Sequence, residues 1–301
     1  MDDSQFLADR FEQNRDHLRA VAFRMLGSLS EADDAVQEAW LRLSRTGAES
    51  IDNLGGWLTT VVARVCLDML RARTSRREDE LTDQLPGQPA RPRSGSNPEQ
   101  EALLADSVGL ALMVVLDRLA PPERLAFVLH DMFDLTFDEI ASIIGRSPVA
   151  TRQLASRARR RIRGSSSPTS AVSEQRRIVD QFLAALRAGD FQALVSVLDP
   201  EVVVRADAAS TTPALPAEVR GAEFWARQAI TAAHGARAAR IVFVNGDVGI
   251  IVAPRGRLFR VLRFTFSNGK ISQIDVTGDP VHLAAFEFAV IQDEGARSHF
   301  A

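Results

Sequence analysis

A chain of 301 residues, 46% hydrophobic and 25% charged with a formal net charge of −3, can bury two or three cores and has neither a disordered nor a membrane-spanning composition. No stretch approaches the unbroken apolar run that a bilayer demands, and the acidic start Met1-Asp2-Asp3-Ser4 opens no signal peptide, so a cytoplasmic location is expected. The single cysteine, Cys66, excludes an internal disulfide and a thiolate zinc site, and His17, His130, His234, His282 and His299 show no metal-ligand spacing, so no metal and no cofactor is expected.

From Gln5 to Leu26 the apolar positions Leu7, Phe11, Leu18, Val21, Ala22 and Met25 keep helical spacing, and Gly27 marks a stop. Ser30-Glu31-Ala32-Asp33 starts a second helix that buries Ala35, Val36, Ala39, Trp40 and Leu43 and leaves Asp33, Asp34, Gln37 and Glu38 as an acidic stripe. A third helix is expected after a Gly55-Gly56 break. Leu58, Val61, Val62, Val65 and Met69 form its apolar side, Thr60, Arg64, Asp68 and Arg71 another face, and Arg73, Arg76 and Arg77 a basic end. Cys66 within it reads as core packing. Between Thr82 and Pro98 almost no residue is apolar while Pro and Gly recur, which predicts a linker that cannot bury enough surface to fold.

Apolar periodicity then returns over Glu101 to Leu119, and Pro121-Pro122 start a further helix through Phe127, Val128 and Met132. Thr136 stands three residues before Glu139, a capping-box spacing, and Phe137, Ile140, Ala141 and Ile144 follow at helical spacing up to Gly145. Ser147 can cap the next helix and Pro148 suits its first turn, so two helices are joined by a turn too tight to be a linker. The second helix carries a narrow seam, Ala150, Leu154, Ala158 and Ile162, and from Arg146 to Arg163 there are seven arginines and no acid. Such a face suits duplex phosphates and guanine edges in the major groove, and the pair reads as a helix-turn-helix forming a four-helix unit with the two helices before it. A merely solvated basic helix is the alternative, disfavoured by the capped turn together with the one-sided charge.

After a second break, Gly164 to Ser170, the pattern changes. Helices are expected around Ile178 to Leu186, Leu194 to Leu198 and Phe224 to Ala233. Strands are expected at Glu201 to Arg205, Arg240 to Val244, Gly249 to Ala253, Leu258 to Phe266 and Lys270 to Val276, with hairpin signals at Asn245-Gly246-Asp247, Pro254-Arg255-Gly256 and Asn268-Gly269. Helices with a curved antiparallel sheet make an α+β domain.

Together these segments resemble the extracytoplasmic-function group of sigma-70 family initiation factors, in the form that carries a SnoaL-like C-terminal extension. SEADDAVQEAWLRL, Ser30 to Leu43, is similar to the region-two helix that grips the β′ clamp helices of RNA polymerase, WLTTVVARVCLDMLRARTSRRE, Trp57 to Glu78, to the helix that opens and reads the minus-ten element, and Leu119 to Arg163 to region four, which reads the minus-thirty-five element. The resemblance implies a multidomain fold: two all-α sigma domains, the second with a helix-turn-helix, followed by an α+β SnoaL-like cone. Its boundaries fall at 1–80, a flexible linker 81–100, then 101–164 and 172–295. It implies core RNA polymerase (β′ clamp helices and β flap) and promoter DNA as partners, and no membrane.

On this resemblance Asp33, Asp34, Gln37, Glu38 and Leu41 would bind polymerase, and Trp57, Thr60, Arg64, Arg71, Arg73, Arg76 and Arg77 the minus-ten element. Ser147, Arg152, Gln153, Arg157, Arg159 and Arg160 would bind the minus-thirty-five element. Trp57 can be a stacking platform or a core residue. Val65 stands where many members have Asn, so the chain departs from the family at one strand contact. The members' DGGGK and NPDKL stretches correspond to Asp207-Ala208-Ala209-Ser210 and Asp279-Pro280-Val281-His282-Leu283. SnoaL-like domains include cyclases and isomerases, and Asp207, His234 and Asp275 could supply an acid or base or line a pocket for a small ligand, although nothing pairs them at a distinctive spacing. The reading is a non-enzymatic sigma factor modulated in cis by its last domain. The rivals are a one-component DNA-binding regulator with a ligand-sensing cone, which has no need of the acidic stripe, and an enzyme fused to a regulator.

Overall fold

The computed structural model describes residues 3–46, 51–83, 109–164, 170–211, 217–231 and 233–291. Three long helices come first: α1, Asp3–Leu26, α2, Leu29–Thr46, and α3, Leu54–Asp83. Ser28 caps α2, its Oγ accepting from Glu31 N at 3.5 Å, and Asn53 Oδ1 caps α3 by accepting from Gly56 N at 3.0 Å. Gly55 and Gly56 therefore lie inside the first turn of α3 rather than in a break before it. The helix also runs three residues past the expected boundary at 80, and residues 84–100 of the expected linker lie outside the described residues.

After α4, Leu110–Leu116, α5, Pro121–Phe127, continues into a π-helical turn, Val128–Met132. His130 shapes the approach to the next helix, its Nδ1 lying 2.9 Å from the Leu135 carbonyl and its ring 3.9 Å from that of Phe137. Helix α6, Phe137–Ile144, starts in the expected capping box: Thr136 Oγ1 accepts from Glu139 N at 3.3 Å, and Glu139 Oε2 accepts from Thr136 N at 2.8 Å. Gly145, at φ 74°, supplies the left-handed residue that ends it. Ser147 Oγ then accepts from Ala150 N at 3.2 Å to cap α7, Pro148–Arg163; of the expected seam Leu154, Ala158 and Ile162 are buried and Ala150 is half-buried, with Thr151 and Ala155 buried beside them.

The last part is built from α8, Ser170–Ala188, α9, Phe191–Val197, α10, Ala222–Thr231, a short α11, Pro280–Ala285, and one seven-stranded sheet. Its strands are β1, Leu198–Ala206, β2, Glu218–Arg220, β3, Ala239–Val244, β4, Asp247–Val252, β5, Arg260–Ser267, β6, Lys270–Thr277, and β7, Phe288–Val290, in the order β2-β1-β6-β5-β4-β3-β7. Among the described strands β1 and β6 pair in parallel and the other pairs are antiparallel. Asn245-Gly246 and Asn268-Gly269 turn two of the hairpins with both residues at positive φ, the geometry in which the turn's twist matches that of the strands. Helices α8, α9 and α10 cover one face of the sheet, with Phe182 stacked on Trp225 at 5.6 Å and edge-on to Phe264 at 5.4 Å.

The chain clusters into two compact units. Among the described residues, the first holds α1, α2, α3 and everything from Asp117 to Arg159. The second holds α4 and everything from Arg160 onward. This departs from the expected four-helix unit at 101–164, because α4 packs on β3, β7 and the turn at Pro254–Gly256 rather than on the helix-turn-helix. The cause lies in the strands. From Val248 to Ile251 every residue of β4 is buried whichever face it points to, so this half of the sheet needs a cover on both sides. Leu110 to Leu116, apolar and buried throughout, supplies the second cover.

Candidate nucleic-acid interface

Helix α2 buries Leu29, Ala32, Ala35, Val36, Ala39 and Leu43, and thereby turns Asp33, Asp34, Gln37 and Leu41 outward. Leu41 is 40% exposed, an apolar spot at the end of the acidic stripe. Asp33 pairs with Arg19 at 2.7 Å, and Glu38 with Arg42 at 2.9 Å one turn on.

On α3, Thr60, Arg64 and Arg71 recur at intervals of four and seven and so share a face, with Trp57 half-buried one turn before Thr60. Arg64 NH2 donates to the Ser142 carbonyl of α6 at 3.3 Å. Arg73 faces elsewhere: it pairs with Glu31 and donates to the Leu26 carbonyl at 3.0 Å, tying α3 to the α1–α2 turn. It is a strut, spent inside the domain rather than turned to a strand. Arg71 and Arg76 are exposed, and the side chain of Arg77 lies outside the described residues. Val65 is 7% exposed and belongs to the core, so the position where members have Asn serves packing here.

On α7, Arg152, Gln153, Arg157 and Arg160 are exposed along one flank. Arg152 also rests 5.1 Å from the Phe137 ring, which holds its stem against the turn. Arg159 differs from the expectation. Its Nε donates to Asp131 Oδ1 at 2.6 Å, and the Asp131 side chain is only 9% exposed, so this arginine braces α7 against the π-helical turn. Two residues on the reading flank escaped the sequence argument, Ser156 and Val149, the latter 61% exposed beside the cap. An outward apolar residue at the N-terminus of a basic helix was the available signal, since thymine methyls are read by apolar contact.

The cone candidates are placed apart from any shared chemistry. Asp207 ends β1 and accepts from Ser210 N at 2.9 Å and from Gly278 N and Asp279 N, each at 2.8 Å. Partial burial pulls its carboxyl up, but these hydrogen bonds outweigh it and hold the pKa below the ordinary value. Asp279 in turn caps α11 by accepting from Val281 N at 2.8 Å and His282 N at 3.1 Å. The two stretches that depart from the family's motifs are thus buckled to each other. Asp275 alternates with Ile274 and Val276, which lie in the core under α8 to α10, so it leaves the sheet on the other face, where it pairs with Arg263 at 3.5 Å. The side chain of His234 lies outside the described residues. Among the described residues no group of three or more His, Cys, Asp or Glu is placed to hold a metal ion, and no helix is long and apolar enough to cross a membrane.

The family model "Sigma-70 region 2" matches residues 10–76, and "Sigma-70, region 4" matches 109–162. The ECF RNA polymerase sigma factor SigJ of Mycobacterium tuberculosis H37Rv is 36% identical over 87% of this chain and 88% of its own length. The chain belongs to the ECF RNA polymerase sigma factors. A second relative in this family, the probable ECF sigma factor SigI of M. tuberculosis CDC 1551, is 35% identical over 90% of this chain and 92% of its own. The crystal structure of SigJ aligns over 91% of this chain and 97% of that one, at 31% identity and a TM-score of 0.43. The ECF fold here is two helical sigma domains followed by an α+β cone, and the region-four match starts at residue 109, so it includes α4, the helix seated on the C-terminal sheet.

Proposed function

We propose that this sigma factor binds core RNA polymerase through the α2 stripe, reads a minus-ten element with Trp57, Thr60, Arg64 and Arg71 of α3, and reads a minus-thirty-five element with Val149, Arg152, Gln153, Ser156, Arg157 and Arg160 of α7. The observation that carries this is α7 itself. Its axis is fixed by a capping box before it, a serine cap and the Arg159–Asp131 brace, while its outer flank stays basic and exposed. A rigid helix with a free arginine flank suits the major groove, where arginine binds guanine bidentately and its neighbours hold phosphates. An exposed leucine among acids on α2 suits a basic protein partner with an apolar socket, which a one-component repressor does not need.

Geometry adds a requirement. Elements named for positions ten and thirty-five stand about 25 base pairs apart, roughly 85 Å at about 3.4 Å per pair. A compact unit of about 146 residues has a radius of gyration near 15 Å, so α3 and α7 cannot read both elements while packed in one body. Promoter engagement therefore opens the first unit, and the chain between Asp83 and Gly109 has the reach, since about 25 extended residues span up to roughly 85 Å. The C-terminal cone acts on that opening in cis, through contacts and without chemistry of its own. Capture of core polymerase by the full chain, and binding of a labelled upstream duplex by the resulting holoenzyme, test this reading. Capture lost in Asp34→Arg/Glu38→Arg and duplex binding lost in Arg157→Ala/Arg160→Ala are expected; parent-like behaviour of both variants contradicts it.

A further inference from the structure

Among the described residues Arg124 is the largest fully buried side chain, and neither the polymerase face nor the promoter face uses it. Its Nε and NH2 both donate to the Arg24 carbonyl, at 3.2 and 3.0 Å, and NH1 donates to Asp117 Oδ1 at 3.2 Å. Arg24 sits in the last turn of α1, within the region-two match, whereas Arg124 sits in α5, within the region-four match. One guanidinium thus ties the two sigma domains. It does so at the negative end of a helix dipole, with a carboxylate that is itself half in water. Around it the same surfaces meet again. The His17 ring meets Phe133 edge-on at 5.3 Å, and Arg64, a minus-ten candidate, donates to Ser142 of the helix-turn-helix.

We propose that Arg124 is a latch that holds the region-four helices against region two in a closed arrangement, in which Arg64 is withheld from DNA, and that the latch is surrendered on opening. This rests on the promoter reading above. Burial of the charge is costly, as the lowering of its pKa by desolvation also indicates. Opening returns the guanidinium to water and recovers that cost. In the closed form its three hydrogen bonds more than offset that cost, and an apolar residue in its place would leave the Arg24 carbonyl without its donors. The two hydrogen bonds to one carbonyl fix the register of closure, while the recovered hydration keeps closure reversible.

The test uses the full chain without polymerase or DNA, so its outcome is separate from that of the promoter reading. Spin labels at Ser44→Cys on α2 and Asp138→Cys on α6 report the distance between the domains. Both positions are exposed, and the native Cys66 is buried with its thiol pushed up to about 12, so it stays unlabelled. The parent should give one dominant short distance. Arg124→Met, which keeps length and apolar packing but removes the donors, should shift the population toward long distances by about tenfold. If Arg124→Met fails to fold by circular dichroism, Asp117→Asn, at a half-exposed site, must move the distribution in the same direction. An unchanged or shorter distribution in the folded variant overturns the latch.

Discussion

Arg157, Arg159 and Arg160 stand within four positions of one another on α7, yet only two of them face outward. Arg159 is bound to a buried carboxylate, and this decides what each substitution should do. Replacing Arg157 or Arg160 with Ala should lower the slope of log K against log salt by roughly 0.9 per lost phosphate contact and leave thermal stability unchanged. Arg159→Ala should do the reverse: a loss of about 1–3 kcal/mol in denaturant unfolding, because Asp131 is left buried without its donor, and an unchanged salt slope. A salt slope that falls equally in all three variants would contradict the assignment of Arg159. At the other end of the chain, Asp207 keeps its folded pKa below the ordinary 3.8 because hydrogen bonds from Asp279, Ser210 and Gly278 favour the anion. Such a group stabilises the fold fully above its unfolded pKa, and that contribution is lost as pH falls through the lower folded value. Asp207→Asn should therefore lower cone stability at neutral pH and flatten its decline below about pH 4. Parallel acid-unfolding curves for parent and variant would remove the buckle to α11 from the account.

Elements whose determinants are local were legible in the sequence. The α6–α7 pair could be placed because Thr136, Glu139, Gly145 and Ser147 act within four residues of their partners, and the hairpins at Asn245 and Asn268 because those turns need positive φ. The seat of α4 was not legible. Leu110 to Leu116 is apolar on every side, and such a segment says only that it is buried, whereas its host is a sheet face made more than 120 residues later in the chain. The roles of Arg73, Arg159 and Asp275 were hidden for the same reason, since each is settled by a partner on another element: Glu31, Asp131 and Arg263. Strand β7 is three residues long and escaped notice because so short a run carries no period. On α2, where burial and exposure do follow the spacing, Asp34→Arg/Glu38→Arg should weaken polymerase capture with little change in melting temperature. Among the described residues the pair lost there is an exposed one-turn contact with Arg42. A pull-down of parental affinity would remove the stripe from the interface.

For the molecule as a whole, the division into units changes what a truncation means. A chain ended at Arg163 loses the sheet on which α4 rests, so Leu110 to Leu116 becomes an exposed apolar helix. Dye binding and self-association are expected beyond any change in transcription. A cone begun at residue 172 lacks the same cover over β3, β7 and the Pro254–Gly256 turn, and it should become monomeric when residues 109–117 are added back as a peptide. A monomeric cone without the peptide would contradict the shared seat. The central claim, that this chain directs polymerase to promoters, is tested most directly by run-off transcription. Core RNA polymerase is reconstituted with the full chain on fragmented genomic DNA, and the transcript 5′ ends are mapped. The account predicts discrete starts that depend on the added chain and vanish with Arg157→Ala/Arg160→Ala. Starts no different from those of core polymerase alone would contradict it.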